Sequence, residues 1–141
     1  MTLVGNSTAK RLGILCFYDK NGRAAKFLDG FLEDLMRNLT DLVVIVNGKI
    51  DDEARKMFGK YTDIIMVREN TGLDVAAYKQ ALLTIGWEKL ETYDEVLCLN
   101  DTIMGPVYPF KEMFETMSRK DVDFWGITAY AGETVNDEKI P

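Results

Sequence analysis

Asp41-Leu-Val-Val-Ile-Val-Asn47 sets five consecutive apolar residues, four of them β-branched, between two polar ends, and Gly48 follows. A strand with one wet face alternates apolar and polar residues. This one does not, so both its faces are expected to be covered, as in a parallel sheet enclosed by helices. Leu12-Gly-Ile-Leu-Cys-Phe-Tyr18 upstream, and Thr62-Asp-Ile-Ile-Met-Val67, Tyr93-Asp-Glu-Val-Leu-Cys-Leu99 and Val122-Asp-Phe-Trp-Gly-Ile-Thr128 downstream, extend the reading to five strands. The intervals between them have helical spacing. Ala24, Phe27, Leu28, Phe31, Leu32, Leu35, Met36 and Leu39 recur at three and four, Asp51 opens a short helix to Lys60, and a third helix runs from Leu73 to Ile85 with Gly86 closing it. Beyond Pro106 and Pro109, the residues Phe110, Met113, Phe114 and Met117 outline a short amphipathic helix. The alternation predicts an α/β fold: three-layer αβα, with a mainly parallel, doubly wound sheet. The expected domain occupies residues 11–130, with a loose leader over 1–10 and a loose tail over 131–141.

Composition narrows the chemistry. The 141 residues are 47% hydrophobic and 28% charged, as in an ordinary globular domain. With 23 acidic against 17 basic residues the net charge is -6, which argues against nucleic acid as a partner. Histidine is absent, so His-based triads, His-ligated zinc and imidazole acid/base catalysis are excluded. No apolar run reaches the roughly 20 residues of a membrane span and no secretory signal opens the chain, so a cytoplasmic location is expected. Cys16 and Cys98 each sit in an apolar run without C-x-x-C spacing and read as reduced, buried thiols. The Asn-x-Ser/Thr matches at Asn6, Asn38 and Asn100 carry no weight without a secretory route.

In open parallel sheets the ligand lies beyond the carboxyl ends of the strands, where strand order reverses. That rule selects the loops Tyr18 to Gly22, Asn47 to Asp52, Arg68 to Asp74 and Asn100 to Gly105. In Arg68-Glu-Asn-Thr-Gly-Leu-Asp74, Gly72 permits a close backbone turn, the helix start offers free N–H groups to a phosphate, and Arg68 is placed to add a charge-assisted contact. Equally, Asn70 or Thr71 caps the helix and Asp74 simply favours its first turn. Tyr78 shares a helical face with Asp74 and either stacks on a ligand or covers core. Asn100-Asp-Thr102 offers one carboxylate and one amide oxygen, a beginning for a hard cation such as Mg²⁺ or Mn²⁺; an Asx-turn explains the tripeptide as well. Asn47-Gly48 either sets an amide against a nucleobase or makes a turn, and the aromatics of Asp123-Phe-Trp-Gly126 are expected in the core.

Four blocks in order resemble the rhamnan synthesis protein F family: Arg68-Glu-Asn-x-Gly-x-Asp74, Tyr93 to Thr102, Gly105-Pro-Val-Tyr-Pro-Phe110 and Asp123-Phe-Trp-Gly-Ile-Thr128. The resemblance spans about Leu12 to Tyr130. It implies a GT-A-like glycosyltransferase fold, a sugar-nucleotide donor (dTDP-L-rhamnose) and a growing lipid-linked glycan as acceptor, with the protein working at the cytoplasmic face of the membrane. Position by position it implies that Tyr18 and Asn47 hold the base, that Asn70, Gly72 and Asp74 lie along the nucleotide, and that Asn100-Asp101 stands where such enzymes carry Asp-x-Asp. Asp101 is then the metal and diphosphate ligand, with Asn100 beside it, and a divalent cation (Mg²⁺ or Mn²⁺) is the implied cofactor. Here an amide replaces one carboxylate, and no residue emerges as the general base. The rival expectation is a non-catalytic nucleotide-sugar-binding or assembly module of a polysaccharide-synthesis complex. A phosphoacceptor receiver domain shares the pattern, but the acidic pair after the first strand is missing and Val67-Arg68 stands where its Asp would end the third.

Overall fold

A computed structural model describes residues 9–128 together with the backbone of 133–135 and 138–140; the leader read over residues 1–10 lies almost wholly outside the described residues. Strands β1 (Arg11–Phe17), β2 (Asp41–Asn47), β3 (Ile65–Arg68) and β4 (Glu95–Asn100) form one sheet in the order β3-β2-β1-β4. Every pairing in it is parallel, with Phe17 opposite Val46, Asn47 opposite Arg68 and Cys16 opposite Asn100 near the carboxyl ends. The helices are α1 (Phe27–Met36), α2 (Asp52–Phe58), α3 (Leu73–Ile85), α4 (Trp87–Leu90) and α5 (Phe110–Met117). Strands β5 (Glu133–Val135) and β6 (Glu138–Ile140) pair antiparallel within the segment expected to be a loose tail.

The apolar runs behave as their composition dictates. In β1 every residue is buried, and alternate side chains serve different cores. Leu15 and Phe17, with Leu42, Val44 and Val46 of β2, meet Leu28, Phe31, Leu32 and Leu35 of α1, Ala54 and Phe58 of α2 and Phe114 of α5. Leu12, Ile14 and Cys16, with Val43 and Ile45, meet Ala77 and Ala81 of α3 on the opposite face. Helices therefore cover both faces of the β1-β2 centre, which gives the three layers. The chain winds from β1 through β2 to β3 with α1 and α2 over one face, then returns over the other face with α3 to place β4 on the far side of β1. Strand order reverses between β1 and β4.

Three expectations are corrected. Val122–Thr128 is not a strand: it enters no ladder, and although Trp125 packs edge-on against Phe114 at 6.0 Å, Phe124 is 89% exposed rather than in the core. Cys98, on the edge strand β4, is exposed although desolvation still raises its thiol pKa, so only Cys16 is a buried thiol. The helix expected from Ala24 begins at Phe27, and α4, just past Gly86, had no periodic signal of its own. No helix among the described residues is long and apolar enough to cross a membrane.

Candidate functional site

The carboxyl ends of the strands gather the four loops that the sheet rule selects. The first two are tied together, since Asp51 N–H donates to the Gly22 carbonyl at 2.9 Å and a Cβ on Gly22, whose φ is 79°, would stand 2.8 Å from the Ile50 backbone. Asp51 also caps α2 through the Ala54 amide at 2.7 Å, as its acidic start foretold. Tyr18, one residue beyond β1, is 51% exposed at the rim.

Asn47 is placed differently from a base reader. It is 2% exposed: Arg68 donates to its Oδ1, while its Nδ2 donates to the Leu73 carbonyl at 3.1 Å and faces the Cys16 sulfur at 3.5 Å. Its amide therefore knits β2 to the start of α3. Arg68 is likewise engaged with the protein, since Nε donates to Gln80 Oε1 at 2.8 Å and Nη2 to the Thr71 carbonyl at 2.9 Å.

Neither Asn70 nor Thr71 caps α3. The N-cap is Gly72, at φ 72°, and it makes no side-chain cap bond. Leu73 follows at φ 57°, a left-handed conformation that costs a residue with a Cβ on the order of 1–2 kcal/mol. The first turn of this 13-residue helix, at the positive end of its dipole, thus has no N-cap side chain, and of its amides Val75 alone meets a side-chain acceptor among the described residues. Asp74 occupies that turn, its Oδ1 accepting from the Val75 amide at 3.0 Å and its Oδ2 facing Asn100 Nδ2 at 3.4 Å. Asn70 is exposed and lies beside Gly48, with Cβ 3.8 Å from where a Gly48 Cβ would stand.

From β4, Asn100 turns its Oδ1 back to the Thr102 hydroxyl at 2.8 Å, the local turn that the tripeptide allowed. Asp101 is held against β1 by its amide, which donates to the Cys16 carbonyl at 3.2 Å. Burial raises its carboxyl above the usual range and the charge of Asp19 adds to this, against the backbone amides of Asp101 and Tyr18. Among the described residues no lysine or arginine forms an ion pair with Asp101. Burial first, then the charges of Asp74 and Asp101, push the Cys16 thiol up to about 11. Tyr78 is half-buried against the α3-side core, and burial raises its phenol too, so it covers core beneath the site.

Asp101, Asp74, Asn70, Gly72 and Tyr18 thus lie at the carboxyl ends of the strands, Asp74 and Asn100 in contact, while Asn47, Arg68 and Tyr78 are engaged with the protein. Gln80, which sequence reasoning passed over, belongs with that second set; it lies 12 residues from Arg68 and no motif joins them. Among the described residues no three Asp, Glu, Cys or His side chains converge as a metal cage. Mg²⁺ commonly takes one or two protein carboxylates and completes its shell with water and substrate phosphates, so Asp101 is a donor that fits such an ion. A shallow groove lined by Ala76, Lys79, Gln80, Leu83 and Thr84 lies along α3, away from the strand ends.

The fold is thus a doubly wound α/β domain in which the start of α3 and the half-buried Asp101 both stand at the carboxyl ends of the strands. The chain is a member of the rhamnan synthesis protein F family, whose model matches residues 42–141, and membership ties it to rhamnan synthesis. The match begins at the start of β2, so it takes in Arg68–Asp74, Asn100–Asp101 and Asp123–Thr128 but not β1 or Tyr18. No curated protein and no solved structure matches the chain.

Proposed function

We propose that this domain is the nucleotide-sugar-binding part of a glycosyltransferase of GT-A-like fold that passes rhamnose from dTDP-L-rhamnose to a growing cell-surface glycan. One observation carries the reading: beside the β1/β4 reversal, Asp74 in the first turn of α3 faces Asn100 at 3.4 Å, so the start of that helix and the half-buried Asp101 stand together at the strand ends. The α3 amides suit the diphosphate and the exposed ring of Tyr18 suits the base. A divalent cation held by Asp101 would neutralise charge on the leaving diphosphate. Transfer then breaks the bond between the anomeric carbon and the diphosphate oxygen as an acceptor hydroxyl attacks that carbon and loses its proton to solvent; the products are the extended glycan, dTDP and that proton. In the lipid-linked acceptor's case the domain works at the cytoplasmic face of the membrane.

The amide at Asn100, where a second carboxylate would strengthen metal binding, favours the other reading, a binding or assembly module without turnover. Calorimetric titration with dTDP, dTDP-rhamnose and UDP, each with and without Mn²⁺, separates the two when run beside a rhamnosyl-transfer assay. The donor site predicts dTDP binding that weakens about tenfold or more in Asp101→Ala and in Asn70→Ala. Absent binding, or binding indifferent to both substitutions, sinks it. Binding without transfer selects the module.

A further inference from the structure

We propose that Gln80 is a positioning residue for the α3 start, acting through Arg68; the ligand side of this inference rests on the nucleotide-binding reading above. A guanidinium is planar, and fixing one edge fixes the other two. Here all three edges have acceptors. Nε meets Gln80 Oε1 at 2.8 Å, Nη1 meets Asn47 Oδ1, and Nη2 meets the Thr71 carbonyl at 2.9 Å. Asn47, so oriented, donates from Nδ2 to the Leu73 carbonyl at 3.1 Å.

The two carbonyls restrained in this way flank Gly72, and the Gly72-Leu73 pair is the left-handed stretch that leads into the first turn of α3. Left-handed backbone at a leucine persists only where its surroundings over-determine it. Gln80 closes the set from the second turn of α3. It is exposed, stands in the groove along α3 and touches the Arg68–Asp74 loop through Arg68, so its replacement removes the brace and leaves the α3-start amides in place. With each of its three nitrogens engaged, Arg68 serves as the brace of the α3 start.

Gln80→Leu deletes the acceptor at similar size, and Gln80→Glu keeps it. Loss of one such bond corresponds to roughly a two- to tenfold effect. On the intact chain we expect Gln80→Leu to weaken dTDP binding about two- to tenfold with little change in Tm, and to shift and broaden the amide NMR signals of Gly72 and Leu73 in the ligand-free protein. Gln80→Glu should restore both readouts. Arg68→Lys, which keeps the charge but loses the fork, should weaken dTDP as Gln80→Leu does. Unchanged Gly72 and Leu73 signals in Gln80→Leu, or failure of Gln80→Glu to restore them, overturns the brace. A wild-type chain that binds no dTDP overturns the nucleotide reading instead, and the amide signals of the ligand-free variants still decide the brace.

Discussion

Asp101 holds a charge in a place that disfavours charge. Burial, with Asp19 nearby, raises its folded pKa above the unfolded carboxylate value of 3.8, so the unfolded chain gives up the proton more readily than the native one. The ionised side chain therefore destabilises the fold at neutral pH, and that penalty fades as pH falls through the folded pKa towards the unfolded value. Asp101→Asn is expected to raise Tm at pH 7, to lose the gain as acid is added, and to weaken dTDP binding. A Tm that falls at pH 7 would contradict the assignment. Asp19 has the opposite sign: the Arg23 and Asn21 amides lower its pKa, so its contribution is present above the unfolded value and is lost on acidification. The cysteines give a second check, because Cys98 is exposed while Cys16 is buried with its thiol near 11. A colorimetric thiol reagent at pH 7.5 should titrate one cysteine in the native protein and both in denaturant. The position of Asp101 was legible in the sequence, since a polar residue directly after an apolar strand lies at the strand end. The inward turn of Asn47 was not. Its partners Arg68 and Leu73 are set by strand register and by where α3 starts, neither of which local spacing encodes.

At the scale of elements, the start of α3 is the part most exposed to a single substitution. Gly72 sits at φ 72°, and a Cβ there would come within 2.6 Å of the Ala76 Cβ. Gly72→Ala adds a left-handed penalty and that contact together, so we expect a loss of about 1–3 kcal/mol in urea unfolding, with weaker dTDP binding. An Ala variant as stable as wild type would mean the turn relaxes freely. Elements were legible wherever a continuous apolar run met a clear stop. Asp41–Asn47 and Leu73–Ile85 have the bounds expected of them, the latter because Gly86 ends the helix with its amide on Leu82. Val122–Thr128 shows the limit. Its composition suits a strand, but a strand exists only beside a ladder partner, and the capture of Trp125 by Phe114 of α5 answers to a contact that periodicity does not report. The same holds for Cys98, whose apolar neighbours say nothing of whether a helix covers that part of the sheet.

For the whole molecule, the reversal of winding gives the two ends of the sheet different work. At the amino end the groups are paired with one another: Arg11 with Glu95 and over the Phe114 ring at 4.5 Å, Tyr93 with Asp41 at 2.6 Å, and the Lys10 amide with Asp94 at 2.7 Å. These contacts join β1, β2 and β4 and leave few donors for a ligand. At the carboxyl end Asn47, Arg68, Asp74 and Asn100 are paired within the protein, but Tyr18 and Asn70 are exposed and the half-buried Asp101 has no ion-pair partner among the described residues. Hydrogen bonds unmet within the protein are available to something that enters, which is the physical content of the rule that open parallel sheets bind at this end. Amide NMR shifts on adding dTDP with Mg²⁺ should therefore fall on residues 18–22, 70–74 and 100–102. Arg11, Thr40 and Asp94 should stay where they are, since the sheet between is packed on both faces and transmits little displacement. Shifts centred on the amino end, or on the outer groove of α3 beside Leu83 and Thr84, would move the site to a part of the fold that the winding does not favour. They would detach the nucleotide reading from the feature that supports it.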